Sequence, residues 1–373
     1  MRIGVSARWL NLASGGAREY AEHLIRGLTT IDRQNEYVVF HSSPMWLGQF
    51  PCAKEIVIPS PNRWLWEYAG LPLHVSRQHI DLFWTPSYVI PFPVKCRSIA
   101  SVLDLAYYFM PQAYRRAEVL YMRCMLPSSV KRASAILAIS ERTKSDLVRL
   151  FPEAEPKVFV THLAASPVFR RITDEAALAS ARAKYGLDRP FIFHAGSISP
   201  RKGLSFLAKA FVDLRKQHGV PHRLVLTGGR SWGDPETREL LRRVPREDVL
   251  MLGHVAGSAL AAIYSLADLF VFPSLYEGFG LPVLEAMACG CPVVCSNLTS
   301  LPEVAGDAAL MVDPRDVQAL ATAMAVALTD APTRESLVEK GKARAASFTW
   351  EETVRKTVAV VRSFGPGGLS MPS

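Results

Sequence analysis

Two glutamates and a pair of cations are the residues in this chain most suited to chemistry. Glu277 and Glu285 lie eight positions apart and flank Gly278-Phe279-Gly280-Leu281. Acids near a helix start are favoured by the dipole alone, so the spacing by itself says little. The punctuation around the pair says more. An apolar run, Leu269 to Phe272, precedes it, Pro282 suits a first helical turn, and Gly290 can end that helix. Pro292 then restarts the chain as a strand, Val293 to Cys295. Glu277 falls on the loop and Glu285 about one turn into the helix, so both carboxylates are expected to face one small volume. Backbone N–H groups from Phe279 to Val283 are expected to face it too, with the positive helix end behind them.

The cations come earlier. The strand Phe191 to Ala195 runs into Gly196-Ser197-Ile198-Ser199-Pro200-Arg201-Lys202-Gly203, then a helix from Leu204 to His218. Strand, glycine turn and helix are the parts of a phosphate cradle, although the G-x4-GK[ST] spacing of a P-loop is absent. Arg201 supplies a fork and Lys202 a point charge for a diphosphate. Loops after strands 223–227 and 249–252, with Gly228-Gly229 and Gly253-His254-Val255, fall at the same sheet edge. They are expected to line a nucleobase pocket through backbone groups, with His254 a structural loop residue. Near the start, Ser14-Gly15-Gly16-Ala17-Arg18 stands between a short strand and an amphipathic helix bearing Tyr20, Leu24, Ile25 and Leu28.

Strand, Glu277, Gly-Phe-Gly-Leu-Pro, Glu285 and Ala-Cys-Gly-Cys-Pro-Val-Val together form a specific composite. On it, the chain resembles the retaining nucleotide-sugar glycosyltransferases of the E-x7-E class, glycosyltransferase family 4. The resemblance covers nearly the whole chain and is strongest from Phe191 to Asp313. It implies a GT-B fold, two facing Rossmann-like domains with a cleft between them. It also implies sugar transfer from a nucleotide diphosphate to an acceptor hydroxyl with retained configuration, needing neither metal nor cofactor. By resemblance, Glu277 serves the sugar hydroxyls and the charge at the anomeric carbon, Glu285 the ribose, and Arg201 and Lys202 the diphosphate. Gly15 and Gly16 face the donor phosphates and the acceptor. Ser197, Gly228, Val255, Gly278, Phe279, Gly280 and Leu281 complete the donor contacts, and Asp104 joins the catalytic set. One position departs. The family usually has His where Leu103 stands, and that His bonds the 6-hydroxyl of the donor sugar. Leucine there favours a donor lacking this hydroxyl, the alternative being an ordinary mannose or glucose nucleotide with another group at the 6-hydroxyl.

The elements that must hold these residues fit α/β architecture. The chain has 373 residues, about right for two such domains. An N-terminal Rossmann-like acceptor domain is expected over 1–170, a nucleotide-sugar domain over 185–348, and a helix over 349–364 that crosses back to the first. The tail from Gly365 is Gly/Pro/Ser-rich and expected to fray. The six cysteines form no C-x2-C pair and read as reduced, without a metal site. Met1-Arg2 runs directly into Ile3-Gly4-Val5, so no signal peptide is expected, and no apolar run approaches the roughly 20 residues that span a bilayer. A cytoplasmic protein follows, with a place at the inner membrane surface left open.

The formal net charge of +9 favours an anionic partner. A nucleotide diphosphate and an acidic membrane surface rank above nucleic acid, for which no motif is present. Arg63-Trp64-Leu65-Trp66-Glu67-Tyr68 and a helix from Tyr114 to Arg132 carrying Arg115, Arg116 and Arg123 could meet such a surface. A glycan or lipid-linked acceptor in surface polysaccharide synthesis completes the expectation. A nucleotide-sugar epimerase and a non-catalytic nucleotide-sugar-binding module are the competing classes.

Overall fold

The computed structural model describes residues 1–12, 15–229 and 235–365. Ser14 and the tail beyond Gly365 lie outside the described residues. Seven strands make the first sheet: β1 (Arg2–Ser6), β2 (Glu36–His41), β3 (Lys54–Val57), β4 (Leu82–Thr85), β5 (Arg97–Val102), β6 (Ala135–Ala138) and β7 (Val158–Val160). Six make the second: β8 (Phe191–Ala195), β9 (Arg223–Thr227), β10 (Val249–Gly253), β11 (Leu269–Phe272), β12 (Val293–Ser296) and β13 (Leu310–Val312). The orders are β3-β2-β1-β4-β5-β6-β7 and β10-β9-β8-β11-β12-β13. Each pairing among them is parallel, from Ile3 beside Tyr37 to Cys295 beside Met311. Parallel strands sit between helical layers, which is why LFVF, VVCS and AILA read as unbroken apolar runs and are buried throughout. Both sheets are doubly wound Rossmann-like sheets.

The chain divides into two compact units. The first takes Met1–Tyr108, Arg116–Leu163 and the segment from Thr349 onward, and the second takes Phe109–Arg115 and Ala164–Phe348. Three helices matter in the first unit: α1 (Gly16–Ile31), α2 (Arg116–Arg132) and, at the end of the chain, Trp350–Arg362. The expected helix from Tyr114 begins two residues later, after a 3-10 turn at Pro111–Ala113. The terminal helix lies on α1 so closely that a Cβ on Gly27 would stand 2.3 Å from Val354. Arg362 reaches Asp32 at 3.3 Å at the far end of α1. In the second unit, Leu207, Phe211 and Leu214 of α3 (Leu204–His218) pack on Ile192, Leu224 and Val271 of the sheet. α4 (Gly257–Leu266) and α5 (Leu281–Ala288) follow, with α6 (Val317–Thr329) and α7 (Ala331–Ala346) closing the unit.

Candidate active site

In the second sheet β8 and β11 are neighbours whose onward connections leave in opposite directions. Such a switch point opens a crevice above the C-terminal strand ends, where doubly wound folds take ligands. β8 delivers the loop from Gly196 to Lys202, and β11 delivers Pro273 to Gly280. A 3-10 turn at Pro200–Lys202 ends on Gly203, whose φ of +65° is left-handed. A Cβ there would stand 2.0 Å from the Pro273 carbonyl oxygen, so glycine is what lets the two loops meet. They are then tied together, the Leu275 N–H donating to the Arg201 carbonyl at 2.8 Å.

That seam places the cations on the carboxylate. Lys202 Nζ donates to Glu277 Oε1 at 2.7 Å, and Arg201 Nη1 stands 3.0 Å from Oε2. Ser274 Oγ donates to Oε1 at 2.5 Å. Arg201 also donates to the Tyr276 carbonyl at 2.7 Å, and the Glu277 N–H donates to Thr299 Oγ1 at 3.1 Å. Burial alone would raise the Glu277 carboxyl, but the charges of Arg201 and Lys202 outweigh it and hold the group at about 2. Two cations on one carboxylate leave a local charge of +1, complementary to an incoming diphosphate.

Glu285 sits on α5, where its Oε2 accepts from Tyr264 Oη of α4 at 3.0 Å. The two glutamates thus share a loop–helix unit but take different partners. Of the N–H groups expected to face the crevice, that of Val283 is used within the turn, donating to Gly280 at 2.9 Å. Gly280 itself is left-handed at φ +115°, and a Cβ there would strike Leu301.

Behind the cluster lies His194, wholly buried in β8. Its Nδ1 donates to the Val271 carbonyl at 2.9 Å, and Nε2 has no hydrogen-bond partner. Burial lowers the imidazole to about 4, with the Lys202 ammonium adding to the effect, so the ring is neutral at ordinary pH. It borders a cavity of about 140 Å³ lined also by Gly196, Thr227, Gly228, Met251 and Gly253. Gly228 has a φ of +133°, and a Cβ on it would fall 2.0 Å from the Gly196 carbonyl oxygen. Gly228 N–H donates to the Gly253 carbonyl at 2.7 Å, which binds the ends of β9 and β10 together. Ser197 follows Gly196 on this rim, and Val255 is buried just past Gly253.

Gly15, Gly16, Leu103 and Asp104 belong to the first unit. Gly15, at φ +110°, precedes α1, and its carbonyl accepts from Arg18 and Glu19 N–H groups. Leu103 is buried just past β5, and Asp104 Oδ1 caps the Ala106 N–H at 3.1 Å. Among the described residues no three His, Cys, Asp or Glu side chains are grouped as metal ligands. Tyr264, Ser274, His194 and Thr299 were not legible as site residues. Only His194, a polar residue inside the apolar run FIFHA, carries a local signal.

Two doubly wound parallel sheets, with Arg, Lys and Glu meeting at the switch point of the second, make the GT-B fold. Residues 179–344 match the family model described as Glycosyl transferases group 1. The chain is 36% identical over 275 residues to O-antigen chain mannosyltransferase B of Escherichia coli, spanning 73% of this chain and 72% of that protein. It is 35% identical over 235 residues to the serotype-specific mannosyltransferase WbdA of Escherichia coli, but spans only 28% of that longer protein. Among solved structures, sucrose-phosphate synthase from Thermosynechococcus elongatus superposes with a TM-score of 0.76 at 22% identity, over 97% of this chain and 98% of that one. Anabaena Alr3699/HepE in complex with UDP-glucose does so with a TM-score of 0.76 at 18% identity, over 96% and 99%. The chain belongs to the group 1 glycosyltransferases.

Proposed function

We propose that this glycosyltransferase moves mannose from a nucleoside-diphosphate donor to a hydroxyl of a growing surface glycan, with retention and without a metal. The observation that carries the reading is the Arg201–Lys202–Glu277 cluster at the switch point of the second sheet. A donor diphosphate entering there takes up the two cations. Negative charge grows on the departing phosphate oxygen as its bond to the anomeric carbon breaks, and fixed positive groups stabilise that charge. Glu277, relieved of part of its pairing, faces the sugar and its developing positive charge. A carboxylate held by Lys202, Arg201 and Ser274 is a weak nucleophile and a weak base. Front-face attack suits it better: the acceptor oxygen bonds to the anomeric carbon, and its proton passes to the departing phosphate oxygen. Glu285, braced by Tyr264, takes the ribose hydroxyls, and the cavity beside Gly228 and Gly253 takes the base.

The mannosyltransferase names of the relatives favour an ordinary hexose over a 6-deoxy donor, so the 6-hydroxyl is met by a group other than Leu103. An acceptor carried on lipid fits the first unit. Trp64, Leu65, Leu73, Phe92 and Leu120 are exposed there, as are Arg116 and Arg123. Trp64 packs edge-on to Tyr121, which sets the aromatic turn beside α2. No helix among the described residues is long and apolar enough to cross a membrane. The test of the core reading is replacement of Arg201 and Lys202 together by Ala. It removes at least two charge-assisted contacts, about 3 kcal/mol of donor affinity. Unchanged nucleoside-diphosphate binding by calorimetry contradicts the reading.

A further inference from the structure

The first sheet repeats the topology of the second. β1 and β4 are neighbours whose onward connections diverge, so a second switch point lies above their C-terminal ends. Its furniture differs. Trp9 stands just past β1, Tyr88 just past β4, and Tyr107 just past β5. Their rings run on from one another: Trp9 to Tyr88 at 6.0 Å and 51°, Tyr88 to Tyr107 at 6.4 Å and 88°. Trp9 and Tyr107 are half-buried, while Tyr88 is buried between them in the row.

Beside Trp9 in the same 3-10 turn is Arg8, paired with the buried carboxylate of Glu67. Glu67 lies in a π-helical turn, Trp66–Gly70, a local widening found often at functional sites. It also holds Arg63 at 3.4 Å. The switch point therefore has an aromatic ledge and, next to it, a braced guanidinium.

The geometry points to the Trp9–Tyr88–Tyr107 ledge as the subsite for the terminal pyranose of the acceptor glycan, with Arg8, held by Glu67, meeting its hydroxyls. This rests on the proposed function for the choice of a glycan. The ring geometry supports the choice independently. Rings inclined at 51° and 88° make a corner, not the parallel slot that sandwiches a flat base. A chair-shaped sugar fits a corner, laying its C–H face on one ring and turning its hydroxyls to the rim. Aromatic side chains suit this because they pair an apolar face with a polar edge.

The experiment titrates α-linked mannotriose against the full chain by saturation-transfer NMR, with nucleoside-diphosphate binding followed in parallel by calorimetry. Trp9→Ala and Tyr107→Ala are each expected to weaken mannotriose binding about tenfold, the scale of losing one well-packed anchor. Nucleoside-diphosphate affinity, which belongs to the second unit, is expected to stay unchanged, and an unchanged thermal transition of the first unit reports that each variant is folded. Trp9→Phe keeps a ring and is expected to stay within about threefold of wild type. If Trp9→Ala fails to fold, Tyr107→Ala decides. Wild-type mannotriose affinity in Tyr107→Ala, or no saturation transfer with the wild-type chain, overturns the ledge. Loss of nucleoside-diphosphate binding by the wild type would instead overturn the proposed function.

Discussion

At the scale of single residues the site depends on one carboxylate being kept charged and occupied. Glu277 is lowered from its ordinary 4.5 to about 2 by Arg201 and Lys202, against the opposing effect of burial. The sign of the linkage follows. A depressed carboxylate stabilises the fold above its unfolded value and loses that contribution as pH falls through the folded one. The stability of the wild type should therefore be flat with respect to Glu277 above about pH 5 and fall between about 4.5 and 2. Glu277→Gln should remove that segment of the acid profile, as equilibrium denaturation across pH would show. The same variant should lose about 10²-fold or more in turnover while keeping nucleotide affinity, if the Glu277 carboxylate has its proposed role at the sugar and the charge of the transition state. Glu285→Gln should instead weaken nucleotide binding. Equal effects of the two substitutions on both quantities would mean the roles are wrongly divided.

Leu103 is tested at this scale too. Donor competition should show a hexose with an intact 6-hydroxyl accepted by the wild type. A clear preference for a 6-deoxy donor would show that the leucine selects against that hydroxyl.

At the scale of elements, glycine geometry makes the site. Gly203 and Gly48 are both left-handed, at φ +65° and +81°, but only Gly203 is crowded. Alanine at Gly48 should cost only the strain of the conformation, about 1–2 kcal/mol. Alanine at Gly203 should cost clearly more, because its Cβ would meet the Pro273 carbonyl at 2.0 Å and push the two loops apart. Denaturant titration of both variants checks the contrast, and similar losses would mean the seam yields more easily than its geometry suggests.

This is also the scale at which the sequence was most legible. Strands buried on both faces announce themselves as apolar runs between turn residues, and the expected strands from Phe191 onward coincide closely with β8 to β13. The last strand begins only at Leu310, after Asp307, which is exposed and pairs with Lys340. The contacts that define the site were less legible. Lys202 and Glu277 are 75 positions apart, and their pairing depends on β8 and β11 becoming neighbours through a long crossover. Tyr264 on Glu285 is likewise a contact between helices that no spacing along the chain encodes. What could be read was the kind of charge each loop presents, and the family resemblance supplied only the part of the donor each was expected to meet.

At the scale of the whole molecule, the last helix belongs with the first unit although it follows the second in sequence. Val354, Val358 and Val361 are buried on that helix. Ending the chain at Phe348 removes them and should expose the facing side of α1, lowering the first unit's thermal transition and promoting association. Unchanged melting would show that the helix is dispensable.

The central claim is that nucleotide-bound sugar is passed to an acceptor hydroxyl at the Arg201–Lys202–Glu277 cluster. The most direct measurement incubates the purified chain with nucleoside-diphosphate mannose and a mannose-terminated acceptor, then reads the new anomeric centre by NMR. The account predicts a product whose anomeric configuration matches that of the donor, formed only with acceptor present and lost in the Arg201→Ala, Lys202→Ala double variant. An inverted product, epimerised nucleotide sugar without acceptor, or a donor that binds and never turns over would contradict it.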